Sequence, residues 1–374
     1  MKKWRKLAVC LLALLLTGCG FPTGRYVSVT PHKEQRQSNQ LAVISAENYL
    51  DLIQALTDMI ANGTESATIN VSQYPEQAVA SGMAVAIRHA MENDPIGAYA
   101  VEGIEYELGA SAGQPAVAIQ IRYRHSRAEI RSIHTIEDMP QAEPLVAAAL
   151  EDYDSSLVLL VQDYSTRDMG QMVKDLAEKN PQKIMETPQV TVSIYGNGRQ
   201  RVVELIFTYQ TGRDGLRQML HQVNPVFEAA MLYVSTEVAD HQKFSQLYGF
   251  LMERFDYKIE TSITPAYSLL HHGVGDSRAF ATVYAAMCRQ AGLDCMTITG
   301  TREGRPWTWN LVLDNGSYYH VDLLRCSELG RFQEKTDSQM AGYVWDYSAY
   351  PVCSGSAQPS PENTVPETAV PVVP

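Results

Sequence analysis

The chain has 374 residues, enough for two or three domains and a sizeable core. Its composition, 45% hydrophobic and 19% charged, is that of a globular protein and excludes collagen-like or wholly disordered chains. The formal net charge is −12, and an acidic chain argues against a nucleic-acid partner.

The N-terminus departs from that average. Lys2, Lys3, Arg5 and Lys6 precede an apolar run from Leu7 to Leu16, followed by Thr17, Gly18 and Cys19. A basic start, a short apolar run and small residues before a cut make a secretory signal. The run is about ten residues, too short for a helix to cross a hydrocarbon core of ~30 Å. The sequence LTGC at 16–19 resembles the bacterial lipobox, whose cysteine is diacylated and becomes the new N-terminus. The alternative is an ordinary signal with an incidental cysteine. The resemblance implies a lipoprotein signal peptide at 1–18, lipidation of Cys19, and a lipid anchor on the extracytoplasmic face of the cell membrane. Loss of residues 1–18 lowers Lys+Arg from 30 to 26 against 42 Asp+Glu, a net charge of −16. No polybasic patch is left to bind anionic lipid, so membrane attachment rests on the acyl chains.

Residues 19–40 are polar and aperiodic and read as a tether. A weak internal repeat follows. The segment 117–134 matches 203–220 at an offset of 86, pairing Val117 with Val203, Ile119 with Leu205, Ile121 with Phe207, Tyr123 with Tyr209, and Arg127, Ile130 and Arg131 with Arg213, Leu216 and Arg217. The apolar positions alternate, as in a half-buried strand, then take helical spacing. Strands at 101–110 and 189–196, with turns SAGQP and GNGRQ, complete two hairpins. Helices are predicted at 47–62 and 75–93 in the first copy and at 166–180 in the second. The chain is therefore expected to be α+β, with small repeat modules at 41–140 and 150–222. The repeat arginines read as solvated positions.

From 224 the pattern is helical, and a third domain is placed at 224–350. In GVGDSRAFATVYAAMCRQAG (273–292), glycines make the bend, Asp276 or Ser277 caps a helix with one buried face, and Gly292 ends it. Strands follow at 294–300, 307–313 and 318–324, with TREGRP and DNGS as turns. A helix packed on an antiparallel sheet is the expected core. His271 and His272 read as an exposed pair. Residues 355–374, rich in Ser, Pro, Thr and Glu, read as a disordered tail.

Cys288 falls on the helix and Cys295 on a strand, so both read as buried thiols. Cys326 and Cys353 lie in loop-like sequence, and an exported protein sits where that pair could form a disulfide. No cysteine has zinc-ligand spacing, and neither a metal nor any other cofactor is expected.

The run from Ser268 to about Leu324 resembles the core of the transglutaminase-like superfamily, relatives of papain-type cysteine proteases. AGLDCMTITG matches its helix-to-strand step, and WTWNLVLDNGSYYHVD matches its hairpin through Trp309, Asn310, Tyr319, His320, Val321 and Asp322. With its helical lead-in the resemblance covers less than a third of the chain. The family's chemistry uses a cysteine opening the helix, a histidine as acid and base, and an aspartate that orients the histidine. Carried over by position, the cysteine site is Ser277, the histidine site is Trp307, and only Asp322 is kept. The resemblance therefore implies a degenerate domain, a peptide- or glycan-binding or scaffolding module at the cell envelope, with Trp307, Trp309 and Tyr318 lining or plugging its cleft. The alternative is a serine-variant acyl transferase or hydrolase in which His320, on the same strand face as Asp322, activates Ser277.

Overall fold

The computed structural model describes residues 44–259 and 265–355. Cys19, the tether and the tail beyond 355 lie outside the described residues. No helix among the described residues is long and apolar enough to cross a membrane.

The two repeat modules have one topology. The first runs β1 (Ile44–Ser45), α1 (Tyr49–Ala61), β2 (Ser66–Asn70), α2 (Val79–Arg88), α3 (Pro95–Ala100), β3 (Val101–Ser111), β4 (Gln114–Tyr123) and α4 (Arg127–Arg131). The second runs β5 (His134–Asp138), α5 (Ala142–Glu151), β6 (Ser156–Asp163), α6 (Met169–Lys179), β7 (Gln189–Tyr195), β8 (Arg201–Thr208) and α7 (Arg213–Tyr233). The sheets are ordered β1-β2-β4-β3 and β5-β6-β8-β7, and in each the first pair is parallel and the others antiparallel.

Alternation explains which face is covered. Val117, Ile119 and Ile121 of β4 are buried with Leu52, Leu56 and Met83 of the helices. Their counterparts Val203, Leu205 and Phe207 of β8 are buried with Val146, Val173 and Leu176. Local chemistry sets the ends: Asn48 and Asp51 form a capping box on α1, and Asp94 caps α3 with Pro95 in its first turn. Arg127 and Arg131 are exposed, and Arg213 pairs with Asp154 at 3.3 Å.

Three boundaries move. The second module starts at His134 rather than 150, because β5 pairs in parallel with β6. Helix α7 runs through the expected break at 222–224 with Pro225 inside it. The helical run after 224 is divided at 234–239, and α8 occupies Asp240–Arg254.

In the third domain a parallel pair of two-residue strands, β9 (Asp256–Tyr257) and β10 (Val274–Gly275), leads into α9 (Ser277–Gln290). The sheet has the order β13-β12-β11-β14, all antiparallel, from β11 (Cys295–Arg302), β12 (Arg305–Asp314), β13 (Ser317–Val321) and β14 (Tyr343–Val344). Asn315 and Gly316, both at positive φ, make the β12–β13 turn. The third predicted strand stops at Val321. Asp322 then caps α10 (Leu323–Glu328), which removes Leu323 and Leu324 from the strand and Cys326 from the loop. Helix α9 is buried all round between Ala279 and Cys288, not on one face. That suits its AFATVYAAMC run, which is apolar on nearly every side.

Candidate functional site

The site lies where α9 begins against β12. Asp276 is the helix cap, its carboxylate accepting from Ala279 N at 2.9 Å. Ser277 is the first helical residue and is buried; its Oγ accepts from the amide of Thr308 at 3.3 Å. Gly275 has no room for a side chain, since a Cβ there would sit 2.7 Å from the Ala279 methyl. The turn before the helix therefore depends on glycine.

Trp307, beside Thr308 in sequence, points to the opposite face of the sheet. Its indole Nε1 donates to Asp322 Oδ2 at 2.9 Å. The Arg302 guanidinium lies over the ring at 5.1 Å, and Tyr257 covers it at 5.8 Å. Asp322 is fully committed. It accepts from Tyr343 Oη at 2.6 Å, from the amides of Leu324 and Arg325 at 3.1 Å each, and is 3.6 Å from Arg302 Nη1. Burial first, and then the neighbouring carboxylate, push the Tyr343 phenol far above its usual range.

Of the three positions singled out by the sequence, Trp307 and Asp322 are in direct contact. Ser277 joins them only through the backbone of Thr308. The rescue by His320 does not form. His320 Nδ1 accepts from Trp309 Nε1 at 3.0 Å, which puts the ring proton on Nε2, where it faces Asp337 Oδ1 at 2.8 Å. Both ring nitrogens are thus used away from Ser277.

The expected cleft lining is also corrected. Trp309 is 1% exposed and packs with Ile298, Leu311, Met340, Tyr343, Trp345 and Cys353. Tyr318 pairs with Leu313, six residues along β12 from Trp307, roughly 20 Å away at strand rise. Its hydroxyl reaches Asp294 at 3.4 Å. Only Trp307 stays at the site. The segment carrying Met340, Tyr343, Trp345 and Cys353 closes the outer face of the sheet, and Gly300 lets it approach: a Cβ there would lie 2.2 Å from Val344 O.

Cys326 and Cys353 are not paired; both are free and buried. Cys326 Sγ accepts from Gln333 N at 3.3 Å, and Cys353 N donates to Asp337 Oδ2 at 3.0 Å, which holds each in its own loop. Burial raises the Cys326 thiol to about 11 and, with Asp337 adding to it, the Cys353 thiol to about 12. Cys288 and Cys295 are buried free thiols, as expected.

Sequence reasoning missed Arg302, Tyr343, Asp337 and Tyr257. The TREGRP stretch reads as a turn, yet β11 extends through Arg302 to pair with Arg305. Nothing periodic marks Tyr343 or Asp337, which act from short pieces of chain. An aromatic-rich C-terminal stretch was the one available signal.

His320 predicts a pH effect. Burial holds its pKa below the ordinary value of 6.5, opposed by Asp337. The unfolded chain then binds the proton at higher pH than the folded one, so stability is full above about pH 6.5 and falls as pH drops below it. Chemical unfolding between pH 7.5 and 5.5 is expected to show this loss, and His320→Gln is expected to flatten it. An unchanged slope in the variant would place the loss on another group.

Comparison with known proteins finds one family match. Residues 230–323 match the family model of the transglutaminase-like superfamily. This chain carries a transglutaminase-like domain. The match spans α8, α9 and the β11–β13 sheet, about a quarter of the chain. No curated protein matches. Among solved structures, the chain is similar to a TGase at 9% identity over 58% of this chain and 63% of that one, with a TM-score of 0.25. It is also similar to a candidate cysteine protease from Cytophaga hutchinsonii, at 11% identity over 42% and 70% with a TM-score of 0.26. A candidate protease from Parabacteroides distasonis gives 9% identity, 68% and 40% coverage, and a TM-score of 0.23. The chain spans less than two thirds of the TGase it matches. In the transglutaminase-like domain, Asp322 is a hub that satisfies an indole, a phenol and a helix N-terminus at once.

Proposed function

We propose that this protein is a lipid-anchored cell-envelope protein whose transglutaminase-like domain does no acyl transfer and serves as a peptide- or glycan-binding or scaffolding module. One observation carries the reading: the Trp307 indole donates to Asp322 where the family pattern has its histidine. An indole N–H donates only and takes up no proton. A serine hydroxyl without an adjacent base is a weak nucleophile, and losing one triad member typically costs about 10⁴-fold or more. Ser277 instead accepts a backbone hydrogen bond. The start of the chain, with LTGC at 16–19, supports the anchor.

The test uses the chain without residues 1–19, assayed for amine incorporation, deamidation and peptide or ester hydrolysis. Wild type and Ser277→Ala are expected to give the same background. Turnover that disappears in Ser277→Ala would sink the reading. A companion pair asks whether the site still suits a thiolate. Ser277→Cys combined with Trp307→His is expected to react with iodoacetamide about tenfold faster than Ser277→Cys alone, because an imidazole near a helix N-terminus favours the thiolate. For the anchor, labelled fatty acid is expected on wild type and not on Cys19→Ala.

A further inference from the structure

Away from this site, three segments of the transglutaminase-like domain bring ligating side chains together. His241 is the second residue of α8, Asp314 ends β12 at the hairpin turn, and Glu334 lies in the chain after α10. His241 Nδ1 is 3.1 Å from Glu334 Oε1 and 3.7 Å from Asp314 Oδ2, and one atom from each residue lies within 4.8 Å of the others.

The two carboxylates are buried, and His241 offsets that burial only in part. The Asp314 side chain is 8% exposed and that of Glu334 is 12%. Among the described residues no Lys or Arg pairs with either, and Glu334 Oε1 is buried without a hydrogen bond of good geometry. Burial is the main force holding the Glu334 carboxyl above its usual range; His241 opposes it and Asp314 adds to it. Two carboxylates facing one another out of water resist ionising together. A divalent cation would remove both the repulsion and the desolvation cost.

We propose that His241, Asp314 and Glu334 bind one first-row divalent cation, with zinc the metal that fits their donors best. An imidazole with two carboxylates suits zinc, whereas calcium and magnesium take oxygen-only sets. Zinc bonds of about 2.0–2.2 Å put tetrahedral ligand atoms roughly 3.3 Å apart; the observed 3.1 and 3.7 Å bracket that figure. Nδ1 of His241 faces the carboxylates, which leaves Nε2 to carry the ring proton, as neutral metal-bound histidine requires. The half-exposed histidine leaves the remaining position to water. A second cluster, His320, Asp337 and Cys353, fails this tautomer criterion. Its His320 Nδ1 accepts a hydrogen bond from Trp309 Nε1, so Nε2 carries the ring proton and has no lone pair for a metal. Bound zinc would fasten the start of α8 to the β12–β13 turn and the Glu334 segment.

The test is calorimetric zinc titration, with a competing chelator, of the tag-free chain without residues 1–19 after chelator dialysis. One equivalent is expected to bind and to raise the melting temperature. His241→Ala, at a half-exposed position that should not disturb folding, is expected to weaken binding tenfold or more, as are Asp314→Asn and Glu334→Gln. Cys353→Ser and the double variant His271→Ala/His272→Ala are expected to bind like wild type. No binding, binding indifferent to His241→Ala, or loss that follows Cys353→Ser would each overturn the proposal.

Discussion

Asp322→Ala is expected to cost about 3–5 kcal/mol of folding stability, the range for breaking a buried charge network by removing one partner. The carboxylate is 7% exposed and serves Trp307, Tyr343, two amides of α10 and Arg302. Its loss strands an indole N–H and a phenol, at about 1–3 kcal/mol for each neutral group left unpaired, while Arg302 keeps its pairing with Glu328 at 2.8 Å. It also uncaps α10, worth ~1 kcal/mol. Apart from Trp4, every tryptophan of the chain (Trp307, Trp309 and Trp345) lies in this domain, so intrinsic fluorescence in urea reports it alone. Asp322→Asn keeps one acceptor oxygen and is expected to lose about half as much. A loss under about 1 kcal/mol for the alanine variant would refute the hub description.

Trp309→Ala is expected to cost a similar amount, about 3–5 kcal/mol, chiefly through the cavity it leaves. The ring is fully enclosed, stacked edge-on against Tyr343 at 5.2 Å and Trp345 at 5.8 Å. Trp309→Phe keeps most of the apolar contact and deletes the donor to His320 Nδ1, so about 1–2 kcal/mol is expected. The two losses, read by far-UV circular dichroism, separate packing from the hydrogen bond. Equal losses would mean that the Trp309–His320 bond, not the cavity, governs.

The parts of this fold legible in the sequence are those with local rules. The β12–β13 turn was readable because Asn315-Gly316 suits positive φ at both positions. The repeat was readable because Val117, Ile119 and Ile121 each recur as a buried apolar residue 86 further on, and the structure extends the equivalence from the hairpin to the order of the whole sheet. The α9 cap was readable from Asp276 in front of an apolar run. The site was only partly legible. Position alone marks Trp307 and Asp322, but sequence does not show that the indole bonds the carboxylate. Arg302, Tyr343 and Asp337 act through tertiary proximity and carry no spacing signal. His320 misled because sharing a strand face with Asp322 says nothing about a third partner. Trp309 and the Asp337–Cys353 loop supplied the partners, and Asp337 arrives from a segment with no periodicity. The cation cluster was hidden for the same reason: its members come from a helix start, a strand end and a loop.

The three units share their interiors. Tyr99, Ala100 and Ile130 of the first module are buried with Leu160 and Val202 of the second. Tyr153, Met185, Leu216 and Phe227 of the second are buried with Phe244 and Tyr284 of the third. Helix α7, 21 residues and so about 32 Å long, ends the second module in sequence yet buries Leu216, Val223, Phe227 and Ala230 in the interior of the third unit. Cutting the chain at any inter-module position therefore bares apolar side chains that the intact chain keeps dry. A truncated piece should be sticky and less stable than the same stretch in place. Heat or denaturant should dismantle the described body as one cooperative unit, not as three independent melts.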